Sequence, residues 1–245
     1  MKNRYLFNLG SIILITAILC GCVKIKKSDA EYEREEWIAG FADSIEYYKQ
    51  RAGNIELRLN DLNSKISSQL DDFEKIRNPR EVEGYYLLKS WKNKLPLTST
   101  GLYARINENE KFEMLATLSG AGFNQIGIKD GNEILKSEVV PHDQAFNFRH
   151  ERYTTVYFYG GKVDTIADYI ANNSDKKIAL EFLEGKVKKN YIIPDNEKQM
   201  IAKTWQLYSS QKEAMSLQKE LWICSKKIET FRRIMDENEI KDNNQ

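Results

Sequence analysis

Two stretches of this chain repeat apolar residues at alternating steps of four and three, a pattern that needs a helix with one buried edge. In the first, Phe41, Ile45, Tyr48, Ala52, Ile55, Leu59, Leu62 and Ile66 hold one phase that continues through Gln69 to Phe73 and Ile76. In the second, Ala214, Leu217, Leu221, Cys224, Ile228, Phe231 and Met235 do the same, and Met200 and Leu207 extend the stripe backwards past Lys203 and Ser210. A spacing that averages about 3.5 residues is the seam of a coiled coil. It predicts a first helix over 31–78, in which Gly40 and Gly53 each cost about 1 kcal/mol without breaking phase. A second helix is predicted over 194–238, with Asp195 or Asn196 as N-cap, before a disordered tail over 239–245. Set antiparallel, with Phe41 opposite Met235, Tyr48 opposite Ile228 and Leu59 opposite Leu217, seam falls on seam.

Between the seams the period drops towards two. Asn78-Pro79 ends the first helix, because the residue before a proline is pushed out of the α region. A short helix from Arg80 to Trp91 is expected within a linking segment over 79–96. From Leu97 to Ile193, alternations such as Leu102-Tyr103-Ala104-Arg105-Ile106 predict strands, with Asp130-Gly131 and Glu184-Gly185 as tight-turn signals. Val163, Ile166, Ala167 and Ile170 mark one helix among them. The expected fold class is α+β, with a long antiparallel helical coiled-coil hairpin flanking a small, mostly β module over 97–193.

The N-terminus points to a location. Lys2 and Arg4 precede an apolar run from Ile12 to Leu19 that only Thr16 interrupts, the layout of a secretory signal peptide. A membrane-spanning helix needs about 20 apolar residues, and Lys24, Lys26 and Lys27 close this run too early. The tetrapeptide Leu19-Cys20-Gly21-Cys22 resembles the processing box of bacterial lipoproteins, an aliphatic residue and two small ones before the cysteine that is acylated. The resemblance covers the N-terminus and assigns the body to no family. It implies that 1–21 is a signal peptide, that Cys22 becomes the diacylated, palmitate-bearing mature N-terminus, and that 22–30 tethers the body to a membrane. Several acyl chains on one cysteine anchor almost irreversibly. In the lipoproteins it resembles, an Asp after the cysteine retains the protein in the inner membrane, so Val23 implies the outer membrane of a cell envelope.

With Cys22 acylated, Cys224 has no partner for an intrachain disulfide, and its place on an apolar stripe predicts a buried thiol. The 37 basic and 36 acidic residues nearly balance, so nucleic acid, which requires a clustered basic face, is not an expected partner.

Motifs with chemistry are few. Gly120-Ala121-Gly122-Phe123-Asn124-Gln125 begins like a dinucleotide fingerprint but ends in Gln and runs into a strand, so it reads as a loop. Gly160-Gly161-Lys162 lacks the spacing of a phosphate-binding loop and reads as a turn. His142-Asp143 and His150-Glu151 match no ligand spacing and read as surface histidines. Tyr85, Tyr86, Trp91, Tyr103, Tyr153, Tyr157 and Tyr159 suit either core packing or stacking on a sugar ring. Cys22 is thus the one site residue, for lipidation. No catalytic, metal or cofactor-binding residue is assigned, and no enzyme is expected.

The expected function is that of a structural or protein-interaction scaffold, attached to the membrane by its lipid and docking on an envelope protein through the stalk and the β module. The alternative is a lipoprotein that captures a glycan or peptide on the module, which requires a concave aromatic cluster there. Cys22→Ala should abolish lipid labelling and release the protein from membranes; a mature N-terminus found elsewhere by intact mass contradicts the assignment.

Overall fold

The computed structural model describes residues 29–77, 83–131, 133–143 and 145–242. The lipoprotein-like box with Cys22, most of the tether and Asn78-Pro79 lie outside them. Among the described residues no helix is long and apolar enough to cross a membrane. The chain divides into two compact units. One combines the described residues up to Gln50 with those from Cys224 onward, and the other is Arg51–Ile223.

Helix α1 (Asp29–Leu70) opens the chain. In the first unit it presents Phe41 to Phe231, ring centroids 5.5 Å apart, with Trp37 edge-on to Phe41 and Tyr48 also against Phe231. Ile45 and Cys224 are buried there, Cys224 as a free thiol.

The second unit is built on two antiparallel sheets. The first has six strands in the order β1-β2-β3-β4-β8-β7, and the second four in the order β10-β9-β5-β6. Their bounds are β1 (Phe73–Ile76), β2 (Tyr85–Leu88), β3 (Gly101–Asn107), β4 (Phe112–Ser119), β5 (Gln125–Asp130), β6 (Glu133–Lys136), β7 (Asn147–Arg149), β8 (Tyr153–Tyr159), β9 (Ala179–Glu184) and β10 (Val187–Ile192). Helix α2 (Gly161–Asn172) buries Val163, Ile166, Ala167 and Ile170 and packs on β4, β6 and β8. Gly131 and Gly185 turn the β5–β6 and β9–β10 hairpins at φ of 58° and 59°, a conformation that costs glycine little. Both sheets contribute to one core, with Ile126, Ile128 and Phe182 from the smaller one and Leu102, Met114 and Phe158 from the larger.

The last helix, α3 (Asp195–Asp242), begins by docking on the six-stranded sheet. The Leu102 N–H donates to Glu197 Oε2 at 2.9 Å, and Tyr191 donates its hydroxyl to Oε1 at 2.8 Å. The Ala104 N–H points at Met200 Sδ, and Phe112 packs edge-on to Trp205, whose Nε1 donates to Asp168. Met200, Ile201, Thr204 and Leu207 are all buried.

The coiled-coil hairpin expected from the two seams is therefore not the fold. Helix α1 stops at Leu70, Asp71 and Asp72 turn the chain, and the Asp72 carbonyl accepts the Lys89 N–H at 2.9 Å. Phe73 and Ile76, read as the end of the first seam, belong to strand β1. Met200 and Leu207, read as the start of the second, bury themselves in the sheet core. Within the second unit ion pairs join the two helices, Arg51 to Glu220 and Arg58 to Glu213, and Lys203 on α3 pairs with Asp72 just past the end of α1. In the first unit Phe41 meets Phe231, four residues before the Met235 set opposite it. An apolar stripe states that a helix face is buried and not what buries it, and here Ile66 on α1 and Met200 and Leu207 on α3 pack on the core of the sheets. The expected short helix from Arg80 to Trp91 is likewise absent over its described part, where β2 runs into a 3₁₀ turn (Lys89–Lys94) that buries Trp91.

The Glu197 carboxyl is pushed above the ordinary range by burial, against the pull of the Tyr191 and Leu102 hydrogen bonds. A raised folded-state pKa means the associated stability is full below the unfolded value and fades as pH rises through the folded one. Glu197→Gln has nothing to ionise and can satisfy both partners. Urea unfolding should therefore show the variant gaining on the wild type as pH rises from 4 towards 8; a pH-independent difference contradicts the assignment.

Candidate functional site

Covering one face of the six-stranded sheet with α3 leaves the other face to the alternate residues of β3, β4 and β8. Their register sets three cross-strand rows. Tyr103, Leu115 and Tyr157 stand opposite one another in sequence across the sheet. Thr117, Thr155 and Phe148 form the next row, and Arg105, Glu113 and Tyr159 the row on the other side. Leu115 is fully buried beneath its neighbours.

A cleft of about 250 Å³ opens over the first two rows. Tyr103, Tyr153, Tyr157 and Phe148 give it four aromatic walls, and Thr117 and Thr155, hydroxyls 3.0 Å apart, supply its polar pair. Pro96, Leu97 and Ala145 complete the rim. Phe148 is 42% exposed while Thr117 is 1% exposed, so the cleft runs from solvent down to the sheet backbone.

The rings are held from the neighbouring row. The Arg105 guanidinium lies 4.2 Å from the ring centroid of Tyr85 and 5.3 Å from that of Tyr157. Its Nε donates to Glu113 Oε2 at 2.6 Å, and Asn107 Nδ2 donates to the other carboxylate oxygen at 3.0 Å. The Arg105 and Glu113 side chains are 8% and 16% exposed, so this is a largely desolvated ion pair whose charges cancel beside the tyrosines.

The rim is held from the side. Asp143 Oδ1 accepts the N–H groups of Ala145, Phe146 and Asn147, and its carboxyl is held below the ordinary range, chiefly by the Phe146 N–H. The buried Asn147 donates to the carbonyls of Phe123 and Val140. This fixes Ala145, in the loop before β7, and the start of β7 itself, from which Phe148 reaches the cleft.

Of the aromatics singled out in the sequence, the fold brings Tyr103, Tyr153 and Tyr157 to the cleft and puts Tyr85 against Arg105 beside it. Tyr86 packs against the core, Trp91 is buried, and the exposed Tyr159 lies against Phe146. Phe148, Thr117, Thr155 and Arg105 were not picked out. Their register partners across β4 and β8 were the missing signal, and pairing is not written in any one strand.

The histidines serve local structure. His142 Nδ1 donates to the Asn147 carbonyl at 2.7 Å, and His150 stacks on Tyr153 at 5.0 Å. Among the described residues no group of His, Cys, Asp and Glu is placed to hold a metal. The Gly120 loop and the Gly160-Gly161 segment are a turn between β4 and β5 and the entry to α2.

Compared with models of protein families, with curated proteins and with solved structures, the chain matches none.

Removing one partner of a desolvated pair strands the other charge, at a cost of about 3–5 kcal/mol when burial is complete. Because Glu113 keeps some exposure, Glu113→Ala should cost about 2–4 kcal/mol in urea unfolding. Arg105→Met with Glu113→Leu should recover most of it. A single variant within about 0.5 kcal/mol of wild type contradicts a structural role for the pair.

Proposed function

We propose that this chain is a lipid-anchored protein of a bacterial cell envelope that captures a glycan or peptide segment in the tyrosine cleft of its six-stranded sheet. The observation that carries the reading is the cleft itself: four aromatic side chains and a hydroxyl pair, converging from four neighbouring strands on the sheet face opposite α3. Small-molecule sites are concave, mostly apolar and furnished with a few convergent polar groups, and tyrosine combines a broad contact face with a polar tip.

The cleft is smaller than the roughly 300–1,000 Å³ of a pocket that engulfs a drug-sized ligand. That suits a ring or two of a longer molecule, with the remainder in solvent. Rings and hydroxyls hold a ligand without supplying an acid–base pair, so the role is binding and not turnover. The anchor rests on the N-terminal sequence alone, the basic start, the apolar run and Leu19 to Cys22; the tether would keep a low-affinity cleft close to polymer in the same envelope, where effective concentration substitutes for affinity. A scaffold acting through a coiled-coil stalk loses its premise with the coiled coil.

The test is a binding panel of defined oligosaccharides and short peptides against the full chain, with Phe148→Ala and Tyr153→Ala as variants. Both side chains keep solvent exposure, so the variants should melt with the wild type. Binding by one panel class that weakens about tenfold in either variant supports the reading. No binding to any member, or binding indifferent to both substitutions, contradicts it.

A further inference from the structure

Resting on the reading of the cleft as a capture site, we infer that its ligand is an uncharged saccharide and that the Thr117–Thr155 hydroxyl pair recognises a sugar hydroxyl. The first ground is charge. Among the described residues, no carboxylate, ammonium, guanidinium or imidazole lines the cleft. In the row beside the cleft, Arg105 pairs with Glu113 at 2.6 Å and packs against Tyr85 and Tyr157. An anionic ligand would give up hydration for no countercharge, a large penalty in a half-enclosed site. A cationic one could use the ring faces, yet would find no carboxylate to meet it.

The second ground is the polar pair. Thr117 and Thr155 are directly opposed on β4 and β8, with Oγ1 atoms 3.0 Å apart. In such a pair one hydroxyl donates to the other, which leaves one proton and several lone pairs for a ligand. The pair can therefore donate and accept at one point, which is what an alcohol needs. A proline-rich peptide, the usual guest of an aromatic groove, offers its flanking rings only carbonyl acceptors and makes no use of the accepting half. Sugar rings present C–H faces to aromatic walls and hydroxyls to the floor, and this cleft places Tyr103, Tyr157 and Phe148 around that floor.

The neighbouring pocket, which shares Tyr153, contains Arg149 paired with Glu184, and Arg152 beside Glu151. The lining itself carries Arg149, Arg152 and His150 against Glu151, and the arginines and glutamates balance only with Glu184, which pairs with Arg149 from outside the lining.

The experiment is calorimetric titration of the full chain, held in a detergent without a sugar headgroup, with four probes. These are neutral oligomers of glucose, neutral oligomers of N-acetylglucosamine, an oligogalacturonate and a proline-rich peptide. A neutral oligomer should bind, with Kd changing less than about twofold between about 50 and about 500 mM salt. Thr117→Val with Thr155→Val replaces both partners by apolar groups of like shape, which leaves the fold nearly unperturbed; it should weaken that binding about tenfold or more. Thr155→Ser, which keeps the hydroxyl, should retain most of the binding that the valine pair loses. Saccharide binding that ignores the valine pair, or a preference for the galacturonate that salt abolishes, overturns the inference. Peptide binding in the cleft overturns it while leaving the capture reading in place, and silence from all four probes removes both.

Discussion

The carboxylate of Glu197 accepts the Leu102 N–H and the Tyr191 hydroxyl at once, and through these bonds the first turn of α3 is fixed to β3 and β10. From that joint the helix lays Met200, Ile201, Thr204 and Leu207 into the core and sets Trp205 and Tyr208 against Phe112. The six-stranded sheet thereby has one face committed. Because side chains alternate along a strand, residues bound to the other face are Tyr103 and Arg105 on β3, Leu115 and Thr117 on β4, and Thr155 and Tyr157 on β8. The cleft follows from where α3 docks.

A sheet face rich in tyrosine needs something to stop the rings collapsing on one another or on a flat apolar floor. Arg105 provides it, stacked against Tyr85 and Tyr157 and held flat by Glu113, which Asn107 orients. Attraction between a guanidinium and a ring face strengthens as water is excluded, and this group is almost fully covered. The same arrangement removes net charge from the row beside the cleft. A ligand in the cleft thus meets polarisable rings and two hydroxyls with a neutral pair alongside.

Much of this fold was legible in the sequence. The alternation at Leu102-Tyr103-Ala104-Arg105-Ile106 lies within β3, Asp130-Gly131 turns between β5 and β6, and Val163 to Ile170 line the buried side of α2. The seams also marked buried helix faces correctly at Ile55, Leu59, Leu62, Ala214 and Leu217. They misled about what does the burying, because Met200 and Leu207 fit a heptad and a sheet-facing stripe equally well. At Phe73 and Ile76 a step of three extended the helical phase into residues that form an edge strand. The cleft was legible only in part. Tyr103, Tyr153 and Tyr157 stood out by type, but Thr117 and Thr155 are ordinary strand residues until the pairing of β4 with β8 sets them face to face.

The central claim is that the tyrosine face holds a neutral sugar over the threonine pair. It is tested most directly by a crystal structure of the chain grown with a neutral oligosaccharide. The account predicts a sugar ring against Tyr103 and Tyr157, with one ring hydroxyl within hydrogen-bonding distance of Thr155 Oγ1. A ligand bound elsewhere, or a cleft filled by Phe148 or Leu97 swung inwards, would contradict it.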